Sequence, residues 1–252
     1  MTFAALRHTL ALVGALSIAG IAVTGCDAHG GPAAQTAPAA PHAASTARAT
    51  PDAPAALARV ARIASIVEVF DAPDGSVVRT LEATTGFGSQ TVLLVTDAGR
   101  VGWLEVMLQG RPNEARGWIR AADADVRDVA VEVRVDLSAR ELALLEEGEV
   151  VWTTPTAIGD PDHPTPTGSF YVTDKLDTGD PEGAYGPYAL GLSARSEVLT
   201  EFAGGDGQIG IHGTNAPDSI GQAVSHGCLR IDNALVAELA ALLPLGTPVT
   251  IS

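Results

Sequence analysis

The sequence predicts a mainly β protein with few short helices, arranged as two folded segments behind an export signal and a tether. Three observations carry this reading. From residue 58 onward, short runs rich in β-branched and aromatic residues alternate with Asp-Gly and other glycine turn signals. Val129 through Leu137 shows period-two alternation, the mark of a strand with one buried face. Helical signals are confined to two stretches near the end of the chain.

The N-terminus reads as an export signal: Arg7 and His8 precede an apolar run from Leu10 to Val23, short for a spanning helix. It closes on Val23-Thr24-Gly25-Cys26, where small residues before the cysteine resemble a lipobox. Residues 1–26 are therefore assigned to a signal peptide and lipobox, with Cys26 as the lipidation site and a lipid anchor tying the protein to the membrane. Thr24 departs from the commoner residue at its lipobox position, and ordinary signal-peptide cleavage or an uncleaved signal anchor are the alternatives to a lipid anchor. Residues 27–57 are Ala, Pro, Thr and Ser with almost no large apolar side chain. Such a stretch cannot bury enough surface to offset its ordering entropy and is expected to be a disordered linker, with His29 and His42 solvated.

Residues 58–127 are expected to form a small β domain. Its strands are read at Ile66–Phe70, Thr91–Val95 and Val101–Val106, separated by Asp74-Gly75 and Asp97-Ala98-Gly99. Gly102-Trp103-Leu104 and Gly117-Trp118-Ile119 resemble the closing strands of a bacterial SH3-like barrel, and both tryptophans are read as packing residues.

Residues 128–252 make the second segment. After the alternating run, Glu141–Leu145, Glu147-Gly148 and Val150–Trp152 read as strand, turn and strand, although Ala, Leu and Glu alone favour helix. Helices are expected at Ser196–Phe202, ended by Gly204-Gly205, and at Asp232–Leu243, with Asp232 or its neighbour as the cap at the start and Pro244 and Gly246 beyond. Pro248–Ile251 reads as a last strand.

Composition limits function. The 252-residue chain has 30 acidic against 15 basic residues, net charge -15, and no Lys/Arg run. Nucleic acid is excluded as a partner on that ground. Of its two cysteines, Cys26 is consumed by processing, which leaves the Cys228 thiol to be explained.

Ile209-Gly210-Ile211-His212-Gly213-Thr214-Asn215 and Ser225-His226-Gly227-Cys228-Leu229-Arg230-Ile231-Asp232-Asn233 place two histidines and that thiol in one short region. A thiol becomes a strong nucleophile on losing its proton, and His212 or His226 supplies an imidazole to take it. Gly227 lets successive amides turn toward one point, where an oxyanion can be held. A zinc site built from His212, His226 and Cys228 is the rival reading, disfavoured because one glycine separates His226 from Cys228 and no further ligand completes the set. His163, in Asp160-Pro161-Asp162-His163-Pro164, is read as a surface residue outside the site.

The His-Gly-Thr segment followed by Ser-His-Gly-Cys-Leu-Arg resembles the YkuD-type L,D-transpeptidase catalytic domain. Val135–Ser138, the stretch from Gly159 to Phe170 and Ala184–Leu190 extend that resemblance in order over residues 128–252. It implies a catalytic β-sandwich and a peptidoglycan L,D-transpeptidase. Cys228 would be the nucleophile, His212 the base, and the amides of His226, Gly227 and Cys228 the oxyanion hole. Gly213 would orient the imidazole, Thr214, Ser225 and Arg230 would support loop and substrate, and Tyr185 and Tyr188 would border the cleft, with packing the equal alternative for both tyrosines. Asn233 is read as structural. The partners implied are peptidoglycan stem peptides, a donor tetrapeptide and an amine acceptor, with neither cofactor nor metal. Transfer to water or to a protein, and a non-catalytic wall-binding role, are the alternatives. The place implied is extracytoplasmic, on the membrane face toward the wall.

Overall fold

In the first sheet a strict two-residue burial period runs over Arg116–Arg120, while the other strands depart from it. The computed structural model describes residues 58–202 and 204–252; the signal, Cys26 and the linker with His29 and His42 lie outside the described residues. Seven strands come first: β1 (Ala58–Ile63), β2 (Val67–Phe70), β3 (Val77–Leu81), β4 (Val92–Asp97), β5 (Trp103–Met107), β6 (Arg116–Arg120) and β7 (Ala124–Val129). They form one antiparallel sheet in the order β3-β2-β6-β5-β4-β1-β7. Leu81 at one end and Ala61 toward the other share a core with Leu93, Val106 and Ile119, so the sheet curls around them. Trp103 is buried edge-on against Phe70 at 5.0 Å between ring centroids, and Trp118 is half-buried, as packing residues should be.

Ten more strands and one helix follow: β8 (Val131–Asp136), β9 (Glu141–Glu146), β10 (Glu149–Pro155), β11 (Ile158–Gly159), β12 (Gly168–Asp177), β13 (Tyr188–Arg195), β14 (Gln208–His212), β15 (Ala223–Ser225), β16 (Leu229–Arg230), α1 (Asn233–Leu242) and β17 (Pro248–Ile251). Eight of them make a mixed sheet, β10-β9-β8-β17-β12-β13-β14-β16, while β11 and β15 pair separately. Val133 and Leu142 near one edge and Ile211 and Leu229 at the other pack in one core with Val236 and Leu239 of α1. Strands six places apart meet only if the sheet wraps over the helix, which gives the two facing layers of a sandwich-like domain. The chain is mainly β, as its strand signals predict.

Several local expectations meet their structure here. The β9-β10 hairpin forms despite helix-favouring residues, because Glu147 and Gly148 both take positive φ, 51° and 83°, as a tight hairpin turn demands. Asp232 caps α1 by accepting from the Ala234 amide at 2.8 Å. β17 lies between β8 and β12.

Two expectations need correction. The run Val129–Leu137 is not one strand: Val129 pairs with Ala58 in the first sheet and Val131 with Glu146 in the second. Alternation marks a buried face but does not say which sheet supplies it. Ser196–Phe202 is not helical. The Ser196 hydroxyl accepts from the Val198 and Leu199 amides, and Arg111 takes the carbonyls of Ser196 and Leu199 that a helix would use.

The two sheets share packing. Tyr171 of β12 is fully buried in the core of the first sheet, and Val60, Val92 and Val129 form a second buried patch with Leu245 against them.

Candidate active site

Strand register places the imidazole and the thiol on one face. β14 and β16 pair in parallel, Ile211 with Leu229 and His212 with Arg230. Ile211 and Leu229 are fully buried in the core, so alternation turns His212, Arg230 and, one residue before Leu229, Cys228 to the opposite face. There His212 and Cys228 line one cleft of about 600 Å3, with Tyr185, Leu176, Ile209, Gln208, Phe202 and Phe87 among its walls. No hydrogen bond yet joins them among the described residues; in ligand-free sites such bonds commonly tighten only when substrate arrives.

The imidazole is oriented by its neighbour. His212 Nδ1 lies 2.6 Å from the Gly213 carbonyl oxygen, an acceptor, so Nδ1 carries the hydrogen and Nε2 keeps the lone pair. The Gly213 carbonyl is thus the hydrogen-bond partner of the ring. Burial pushes the His212 pKa down to about 4, opposed by the Gly213 hydrogen bond and reinforced by the Arg230 charge. The ring is neutral at physiological pH. Tyr185 leans on it with ring centroids 4.7 Å apart.

Burial pushes the Cys228 thiol above its ordinary range, while a backbone hydrogen bond from Gly210 and the Arg230 charge act in the other direction. The resting pair is thus thiol and neutral imidazole. Arg230 carries positive potential to both groups, and its buried Nε has no hydrogen-bond partner.

Two hydroxyls hold the turn that carries the thiol. Ser225 Oγ donates to the Cys228 carbonyl at 2.6 Å and accepts from the Gly227 amide at 3.1 Å. Thr165 Oγ1 donates to the Gly227 carbonyl at 2.8 Å and accepts from the Gly159 amide at 2.9 Å. Gly227 takes φ +113°, and a Cβ there would lie 2.9 Å from Ile209 Cδ1, so glycine is required.

These contacts correct the oxyanion expectation. The Gly227 amide already donates to Ser225, which leaves the amides of His226 and Cys228 from the expected set. Thr165 is a supporting residue that the sequence reading did not single out; it lies 62 residues from its partner Gly227, and its signal was its place in the Pro164–Thr167 run.

The other candidates divide. Thr214 supports the loop, its amide donating to Asn233 Oδ1 at 2.7 Å and its hydroxyl accepting from Ala216 at 3.0 Å. Asn233 Nδ2 also reaches the Pro181 carbonyl at 3.3 Å, so one side chain ties the Tyr185 loop to the His212 loop. Gly186, at φ +62°, fits between them, where a Cβ would come within 2.7 Å of Gly213 Cα. Tyr188 is not at the cleft: its side chain packs against the core, and only its carbonyl serves the site, accepting from the Gly213 amide at 3.4 Å. As first residue of β13 its alternation sends the ring inward.

His226 is exposed and, unlike His212, does not line the cleft. Its ring lies 5.2 Å from Phe202 and 5.0 Å from His163. His163, expected outside the site, is half-buried beside His226 and held by Asp160 at 3.0 Å, whose carboxyl sits below its usual range: burial opposes this, and the bonds from His163 outweigh it. Among the described residues no three His, Cys, Asp or Glu side chains are grouped to hold a metal.

Among the described residues, the curled β fold brings a free thiol and a buried neutral imidazole to the wall of the same cleft. The family model described as the L,D-transpeptidase catalytic domain, YkuD, matches residues 130–251. The Bacillus subtilis strain 168 protein assigned as the L,D-transpeptidase YkuD is 39% identical over 128 residues, 51% of this chain and 70% of that protein. Its namesake from Bacillus licheniformis is 35% identical over 155 residues, 59% of this chain and 86% of that one. A crystal structure of a mutant Enterococcus faecium L,D-transpeptidase aligns with TM-score 0.38 and 24% identity over 49% of this chain and 50% of that chain, so the match spans about half its length. The chain belongs to the YkuD-type L,D-transpeptidase family.

Proposed function

We propose that this protein is a peptidoglycan L,D-transpeptidase that forms 3→3 cross-links through a Cys228 acyl-enzyme, with His212 as general base. The observation that carries the reading is the shared sheet face and cleft of His212 and Cys228, with Nδ1 committed to Gly213 and Nε2 left as the basic nitrogen.

As the sulfur attacks the carbonyl between the L-centre of meso-diaminopimelate and the terminal D-Ala, Nε2 takes the thiol proton. The His226 and Cys228 amides face the developing oxyanion. Collapse breaks the C–N bond, and the imidazolium gives its proton to the departing D-Ala amine. A side-chain amine of a second stem then attacks the thioester, its proton passes to Nε2, and the thiolate leaves and is reprotonated. The bond energy held in the thioester drives transfer, so no nucleotide or cofactor enters. Because burial disfavours a thiolate-imidazolium pair at rest, proton transfer belongs to the attack itself.

Export and anchoring at Cys26 are proposed with it, on the signal-like N-terminus, and put the site on the extracytoplasmic side where stem peptides lie. Purified protein incubated with tetrapeptide stems tests the reaction. Muropeptide analysis should show 3→3 dimers and released D-Ala; trimmed tripeptide alone would make the protein an L,D-carboxypeptidase, and neither product would refute catalysis.

A further inference from the structure

We propose that Phe87, supplied by the first sheet, is a specificity-determining residue of the cleft. The inference rests on the proposed function, since it takes the occupant to be the donor stem peptide. The cleft that holds Cys228 and His212 is built by the second sheet except at one point, where Phe87 joins its wall from the loop between β3 and β4. Phe87 is 60% exposed, so it has apolar surface left for an occupant of the cleft to cover.

Three sets of contacts fix the loop that carries the ring. The loop is closed by the Thr84-Gln90 bridge and by hydrogen bonds from Thr85 to Ser89 at 2.8 Å and from Gly88 to Thr85 at 2.9 Å. The Phe87 amide donates to Thr85 Oγ1 at 3.3 Å. Thr85 Oγ1 in turn donates to the carboxyl of Asp174, a side chain 1% exposed in β12. The other Asp174 oxygen accepts from Thr173 Oγ1 at 2.8 Å, and Gln208 Nε2 donates to Thr173 Oγ1 at 2.9 Å. Gln208 is itself a wall residue of β14, four positions before His212. A buried polar chain therefore runs from beneath Phe87 to the strand that carries the imidazole. Buried, partnered polar groups hold geometry.

The wall beside Phe87 is apolar, made by Leu176, Leu190, Ile209 and Phe202. It suits methyl and methylene groups, which a stem peptide offers in its alanines and in the side-chain carbons of its diamino acid. Covering about a quarter of the Phe87 ring with such groups corresponds to roughly five- to tenfold in affinity.

The test is binding without turnover. Full-chain protein carrying Cys228→Ala is titrated with a tetrapeptide stem ending in meso-diaminopimelyl-D-Ala, alone and with Phe87→Ala, Phe87→Leu or, as a remote control on the first sheet, Val101→Ala. Phe87→Ala should raise Kd about five- to tenfold, Phe87→Leu should recover most of the loss, and Val101→Ala should change nothing. Equal Kd values with and without the ring would overturn the role of Phe87 while leaving the function intact. Absence of any binding by the Cys228→Ala protein would overturn both.

Discussion

The two loops that flank the thiol are held by opposite means. The Ser225–Cys228 turn is fixed from inside its own sheet by two hydroxyls, each of which both donates and accepts within buried surroundings. The stretch from Ser196 to Gly207, which brings Phe202 and three glycines to the cleft, is fixed from outside by the first sheet. Arg111 donates to the carbonyls of Asp206, Ser196 and Leu199 at 2.7, 2.7 and 2.9 Å, and Asn113 exchanges two hydrogen bonds with the Arg195 backbone. From the second sheet itself, the buried Arg195 adds an ion pair to Asp206 at 2.6 Å. The contrast teaches that the turn carrying the thiol is positioned by short buried bonds near it, whereas the facing wall of the cleft is positioned by long-range contacts, several of them at the surface. Loss of a buried partner strands its mate; loss of an exposed one lets water replace it.

That contrast can be broken at several points. The largest effect belongs to the chemistry: Cys228→Ala should lower turnover of tetrapeptide by on the order of a thousandfold or more, and His212→Ala by roughly a hundredfold to ten-thousandfold, measured as D-Ala release. Next comes Thr165→Val, which strands the Gly227 carbonyl and the Gly159 amide together; chemical denaturation should show a loss of about 2–4 kcal/mol. Arg111→Ala should cost about 1 kcal/mol or less, yet quicken amide exchange across Ser196–Gly207 while leaving Gly227 protected. If both variants destabilised equally, the contrast between buried and exposed bracing would be wrong.

A pH profile sharpens the electrostatic side. The base must be neutral to accept a proton, and its pKa is pushed down to about 4, so it stays competent until pH falls to that region. The acid limb of kcat/KM should therefore lie near pH 4. An imidazole of ordinary affinity would already be half protonated at about 6.5. Because burial raises the thiol, alkylation of Cys228 by iodoacetamide should be slow through neutral pH and speed up only on the alkaline side.

Much of the site could be read from the chain, because its parts lie within a few residues of one another. His212-Gly213 and Ser225-His226-Gly227-Cys228 each carry their local geometry in the glycine and the hydroxyl beside them. Strands were legible where alternation was strong, as at Val131–Asp136, and the capped helix after Asp232 where its stop signals were clear. What could not be read depends on distant partners. Nothing in Thr165 reveals that it meets Gly227, in Phe87 that it reaches the thiol cleft, or in Arg111 that it unwinds a segment with helical spacing. Tyr188 shows the same limit, since a tyrosine near the cleft in sequence turned inward by strand parity.

The central claim is that the sulfur of Cys228 is the acylated atom and the ring of His212 its base. The most direct measurement is intact mass with peptide mapping after incubation with a carbapenem, which acylates active thiols in this family. One adduct on the peptide that contains Cys228, absent in Cys228→Ala and formed far more slowly in His212→Ala, is the expected result. An adduct on another residue, or full-speed acylation without the imidazole, would contradict it.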